Sequence, residues 1–195
     1  ITSNPYDGDR VPGTVGPALP DVEVRICAKD GTPVAAGEIG VLEYKGPNLF
    51  KGYWGMPEKT AEEFRSDGFF ISGDNAIMDI DGRVSIVGRD KDLIITGGYN
   101  VYPKEIEIEI DQMDGVIESA VIGLPHKDFG EGVTAVVVAK DDGGVTEDAI
   151  IDALKDKLAR FKQPKKVYFV PELPRNAMGK VEKFTLRAQL DDVEN

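Results

Sequence analysis

VGRDKDLIITGGYNVYPKEIE, residues 87–107, is the stretch on which the fold turns. Arg89 ends a strand-like run, and Asp90-Lys91-Asp92 forms a charged link. Gly97-Gly98 then permits close backbone approach in a turn, because neither residue carries a Cβ. Pro103 opens a helical pattern over 103–113, with early acids and Ile106, Ile110 and Met113 at i, i+4 and i+7. The link separates two regimes of composition. Of the 34 Gly and Pro residues, 22 fall in the first 98 positions and 12 in the remaining 97.

Upstream of the link, short apolar runs sit between turns. Residues 22–28 alternate and end at a Lys-Asp-Gly turn, and a second run covers 40–45. The runs 76–80 and 83–87 flank Asp81-Gly82, a strong hairpin signal. One short helix is predicted over 57–64, with proline in its first position. Many short strands joined by tight turns point to a small β-barrel or a layered sheet.

Downstream, strands and helices alternate. Strand-like runs are predicted at 116–124, 132–139 and 167–170. The helix at 146–161 has Thr146 as cap, Glu147 and Asp148 in its first turn, and an apolar stripe of Ile150, Ile151, Leu154, Leu158 and Phe161. A closing helix is predicted at 181–190. The fold class is therefore α+β: a β-barrel-like subdomain over 1–90, then a small α+β domain over 91–195.

Composition excludes several functions. Hydrophobic residues make up 41% of the 195, enough for real cores, but no apolar run approaches the ~20 residues that span a bilayer. A net charge of −12 argues against nucleic acid and anionic lipid as partners. The lone Cys27 excludes an internal disulfide and a cysteine-cluster metal site. The lone His126 excludes multi-histidine zinc sites. No metal-binding residue is assigned, and the expected setting is a reducing cytoplasm. Cys27 reads as a half-buried strand residue and His126 as a loop residue.

Three short motifs carry possible chemistry. The window 160–187 holds eight basic residues and two acids, a balance of +6 that leaves −18 for the rest of the chain. Within it, PRNAMGK (174–180) makes a flexible turn ending in Lys180. Alone, this reads as a solvated turn. A lysine so placed can also enter a site and neutralise phosphate or carboxylate charge. FFISGD (69–74) ends in Asp74, an ordinary turn aspartate or one suited to accept hydrogen bonds from two ribose hydroxyls. The third motif is the stretch 87–107 itself, alone a linker and a glycine turn.

In this order the three motifs resemble the C-terminal third of the adenylate-forming superfamily, which includes acyl-CoA synthetases, luciferases and nonribosomal adenylation domains. The resemblance runs from PGTVGPALP (12–20) through FKGYW (50–54) to the lysine turn. It implies that residues 1–90 are the last subdomain of a large AMP-binding domain and that 91–195 are a mobile C-terminal domain. It implies roles too: Asp74 and Arg89 for ATP ribose and phosphate, Lys91 as hinge, Gly98 for the pantetheine tunnel of CoA, and Lys180 as the catalytic lysine and a candidate for acetylation.

Where some relatives carry a second lysine this chain has Ile95, and where others place Arg or Gln it has Asn100, so neither is assigned a role. The phosphate loop and the aromatic-Gly-x-Thr-Glu motif are not found. The resemblance therefore implies a C-terminal fragment, inactive alone and holding no cofactor by itself. The complete enzyme would use ATP, Mg2+, CoA and a small carboxylate. Partners would be the missing N-terminal domain and, in a second, protein-binding reading, a lysine acetyltransferase or deacetylase. GGYNVYP is in the acyl-CoA-synthetase style, and TSNPYDGDRVPGTVGPALPDVEVRI (2–26) looks most like malonyl-CoA synthetases. Medium-chain or aryl acyl-CoA ligases are the alternative.

Overall fold

The computed structural model describes residues 1–140 and 144–194, with side chains up to residue 190. The chain forms two compact units, Ile1–Lys91 and Asp92–Asn195.

In the first unit, strands β1 (Glu23–Cys27), β2 (Ile39–Lys45), β3 (Phe70–Met78) and β4 (Val84–Arg89) form one antiparallel sheet in the order β1-β2-β3-β4. The short helix α1 (Pro57–Glu62) lies between β2 and β3 in the chain. The barrel-like expectation takes the form of an open sheet, its order running from β1 to β4 without closing. Ile26, Leu42, Ala76 and Val84 bury one face, with Val24, Val34 and Met78 packed on them.

The hairpin at Asp81-Gly82 joins β3 to β4. The Asp79 carboxylate accepts the backbone N–H groups of Asp81 and Arg83, and Gly82 takes a positive φ of 79°. β3 runs further back than the periodicity predicts. The pairing with β2 shifts register between Val41 and Glu43, and Gly73 adopts φ 71°. Ser72-Gly73-Asp74 is thereby absorbed as a bulge within a continuous strand. Asp74 is thus inside β3, not an ordinary turn aspartate.

The second unit is built on a five-stranded sheet. Its strands are β5 (Ile94–Thr96), β6 (Tyr99–Val101), β7 (Val116–His126), β8 (Gly130–Ala139) and β9 (Lys166–Phe169). The order is β6-β5-β8-β7, with β9 parallel to β8 and the other pairs antiparallel. Helices α2 (Pro103–Asp111), α3 (Glu147–Lys155) and α4 (Lys183–Glu194) complete it. β8 is apolar along nearly its whole length because both of its faces are covered. Val133, Ala135 and Val137 join Ile106, Ile110, Ile150 and Leu154 in one core. Val136 and Val138 face Leu173 and Leu186 in another.

Four expectations are corrected. β5 and β6 form a hairpin where only a glycine turn was read. Helix α3 stops at Lys155, six residues early, where the Gln163 side-chain amide donates to the Leu158 carbonyl (2.9 Å) and the chain turns. His126 ends β7 half-buried, its Nδ1 accepting the Asp128 N–H, so it is not a loop residue. Cys27 is fully buried, not half-buried.

Candidate functional site

Asp74 and Arg89 are brought together by strand register. They are direct cross-strand partners on β3 and β4, and Arg89 Nη1 donates to Asp74 Oδ1 at 2.7 Å. The bulge holds the aspartate: the Ser72 hydroxyl donates to the Leu42 carbonyl (2.7 Å) and accepts the Asp74 N–H (3.1 Å). A cluster of edge-on rings lies close by on the same unit, with Phe50, Phe64 and Tyr44 all within 5.4 Å of Phe70 between ring centres. Burial pushes the Tyr44 phenol above its ordinary pKa, and the Asp74 charge adds to that. A carboxylate held beside a guanidinium and rings suits a polyhydroxylated, anionic ligand.

Lys180 ends a turn that is tied down more firmly than its Pro, Asn and Gly content suggests. The Asn176 side-chain oxygen accepts the N–H groups of Met178 (2.9 Å) and Lys180 (3.0 Å). The Asn176 N–H donates to the Lys180 carbonyl and the Gly179 N–H to the Asn176 carbonyl, each at 2.9 Å. Gly179 supplies the φ of 77° that the turn requires. Arg175 donates to the Gly179 carbonyl at 2.8 Å and pairs with Glu118 of β7. The Lys180 side chain itself is exposed.

Gly97 and Gly98, at φ 55° and 82°, form the two-residue turn between β5 and β6, with Thr96 opposite Tyr99. Both positive angles fit a type I′ turn. No atom stands within 4 Å of where a Gly98 Cβ would be, so this surface is open. Behind it, the Glu131 carboxylate accepts the Ile95 N–H at 2.7 Å, and the Phe129 carbonyl accepts the Gly97 N–H at 2.8 Å. Ile95 and Asn100 are exposed cross-strand partners of this hairpin.

Lys91 is exposed in a single 3₁₀ turn, Asp90–Asp92. Its neighbours are each anchored within their own unit: Asp90 to Lys29 at 3.4 Å, and Asp92 to Arg187 of α4 at 3.7 Å.

Two charged groups escaped the sequence reading. Glu43 is wholly buried, between Arg25 (2.9 Å) and Arg65 (2.8 Å). Glu107 is buried on α2, where its Oε1 accepts the Val121 N–H (3.0 Å) and the Lys183 ammonium (2.5 Å). The alternation of Glu105, Glu107 and Glu109 with isoleucines gave no sign of which acid points inward. Among the described residues no three of His, Cys, Asp or Glu gather as a metal site.

Residues 1–54 match the AMP-binding enzyme family, and residues 105–180 match the AMP-binding enzyme C-terminal domain. The structure superposes on ATP-bound MatB from Rhodopseudomonas palustris with a TM-score of 0.94. The two are 60% identical, over 100% of this chain and 39% of that one. A long-chain-fatty-acid–CoA ligase of Salmonella typhimurium is 42% identical, covering 96% of this chain and 33% of its own length. A malonate–CoA ligase of Arabidopsis thaliana is 40% identical, covering 98% and 33%. The chain belongs to the adenylate-forming, AMP-binding enzyme family. It spans about a third of the length of these curated relatives. Among the described residues no helix is long and apolar enough to cross a membrane.

Proposed function

We propose that this chain is the C-terminal part of an ATP-dependent acid–thiol ligase that makes acyl-CoA through an acyl-adenylate, with malonate or methylmalonate as the acid. The observation that carries the ligase reading is the identity, along nearly the whole chain, to relatives named as CoA ligases, at 42% and 40%, joined by 60% identity to ATP-bound MatB. Malonate is favoured by the opening stretch 2–26 and by the Arabidopsis relative. The Salmonella relative favours a fatty acid instead.

In this reading residues 1–90 close the AMP-binding domain and 91–195 form the mobile domain. Asp74 accepts hydrogen bonds from the ribose hydroxyls of ATP, and Arg89 contacts ribose and phosphate. Adenylation brings a carboxylate against the α-phosphate, and two anions repel. Lys180 bridges them and lowers that barrier without transferring a proton. The bond formed joins carboxylate oxygen to phosphorus, and pyrophosphate leaves. CoA sulfur then attacks the acyl carbonyl and AMP leaves, with Lys180 no longer required. Rotation about Lys91 replaces it with the open Gly98 face, along which pantetheine passes. The exposed Lys180 ammonium is also open to an acetyltransferase, and acetylation would remove the charge adenylation needs.

The test is AMP release by the ligase that contains this segment, with CoA and malonate, methylmalonate, octanoate or benzoate. Turnover with the first two alone is expected. Preference for octanoate or benzoate would overturn the malonate assignment, and turnover with none of the four would overturn the ligase reading.

A further inference from the structure

We propose that the buried Glu107–Lys183 ion pair is the device that positions Lys180. This inference rests on the adenylation role given to Lys180 above. Lys183 is the first residue of α4, three positions beyond Lys180, and its side chain is only 16% exposed against 8% for Glu107. Three residues of chain span at most ~10 Å, so where Lys183 is held limits where Lys180 can reach. The segment between them is extended and stitched down: Val181 bridges Arg175, and the Glu182 N–H donates to the Pro174 carbonyl at 2.8 Å.

Glu107 is itself fixed. Its Oε1 also takes the Val121 N–H of β7, and Lys104 lies 3.7 Å from its other oxygen. The carboxylate therefore ties α2, β7 and the start of α4 to one point. A buried, hydrogen-bonded pair has one geometry, whereas apolar side chains of the same size can slide. Stability does not require charges there, since apolar replacements of buried pairs are often neutral or stabilising. Direction is what the pair adds. Lys183 and Glu107 touch no reacting atom, so they are positioning residues.

The decisive variant is the double substitution Glu107→Gln/Lys183→Met, which keeps an acceptor for Val121 and leaves no buried charge unpaired, since the Lys104 side chain is exposed. In the complete ligase it should slow adenylation about 10- to 100-fold, the usual result of misplacing a catalytic group by about an ångström. Thioester formation from supplied acyl-AMP and the KM for ATP should stay within about threefold. Lys183→Arg should retain adenylation within about the same margin. In the 195-residue chain, the double variant should speed amide exchange at Met178, Gly179 and Lys180 and leave Ile150 and Leu154 unchanged.

Unchanged adenylation in the folded double variant would overturn the proposal, as would equal loss of both half-reactions. Unaltered exchange at 178–180 would overturn it too. If Lys180→Ala leaves adenylation intact, the functional reading itself fails, and the exchange measurement still decides the positioning claim.

Discussion

Glu43 has no solvent exposure, yet its neighbours in β2 mark it as nothing more than a polar position in an alternating strand. Arg25 opposite it on β1 and Arg65 beyond Gly31 supply the counter-charges, and Arg25 also reaches Asp67 at 2.7 Å. Removing the carboxylate takes away the counter-charge that two half-buried guanidiniums share, and among the described residues only Arg25 keeps another ion pair, with Asp67. Glu43→Gln is expected to cost about 3 kcal/mol in urea unfolding followed by circular dichroism. A loss within experimental error would contradict the burial. Cys27 lies beside this network. Burial first, and then the Glu43 charge, push its thiol above the ordinary range. Native protein should therefore resist thiol reagents at pH 8 and label fully in urea; stoichiometric labelling of the native chain within minutes would contradict this.

Acid should weaken the same unit. The Arg25 hydrogen bond first, and the Phe69 N–H after it, hold Asp67 below the usual carboxylate range. The Thr32 N–H does the same for Asp30. A depressed folded pKa contributes stability that is present above the unfolded value and lost as pH falls through the folded one. The melting temperature should therefore decline below about pH 4, and less steeply in Asp67→Asn. A flat profile from pH 5 to pH 2.5 would contradict the pairing. The arginine partnerships were not legible in the sequence, because they join residues 18 to 42 positions apart, whereas the Asp30–Thr32 contact is local.

At the level of elements, the sequence was more open. Gly82 marks the β3–β4 hairpin because its turn needs a positive φ, while the carboxylate that takes up the free N–H groups is that of Asp79, two residues before the Asp81-Gly82 signal. The same residue types misled at Ser72-Gly73-Asp74, where the sheet absorbs the breaker as a bulge instead of ending. β5 and β6, three residues each, are too short to show a period. Only register reveals that Gly97-Gly98 is a hairpin turn. Gly98 is open on its outer side, so a larger residue meets only the backbone strain of φ 82°, on the order of 1–2 kcal/mol. In the proposed ligase, Gly98→Leu should therefore block thioester formation and leave adenylation nearly intact. Loss of adenylation in a folded variant would contradict the assignment of this face to CoA.

For the molecule as a whole, the change of composition near Asp92 marked a change of architecture, because short-strand and helix-rich regions need different numbers of breakers. Charge was less transparent. A net −12 conceals the +6 window that carries Lys180, so the acidic total argues against nucleic acid without arguing against small anions. Asp90 and Asp92, tethered to Lys29 and Arg187, leave Lys91 as the exposed residue between two anchored acids. In the proposed ligase, the role assigned to Lys180 is confined to the first half-reaction. It is tested by Lys180→Ala in the ligase containing this segment, with ATP–pyrophosphate exchange and thioester formation from supplied acyl-AMP measured side by side. Exchange should fall about 10²- to 10³-fold while thioester formation stays within about threefold. Equal loss of both, or full retention of exchange, would contradict the account.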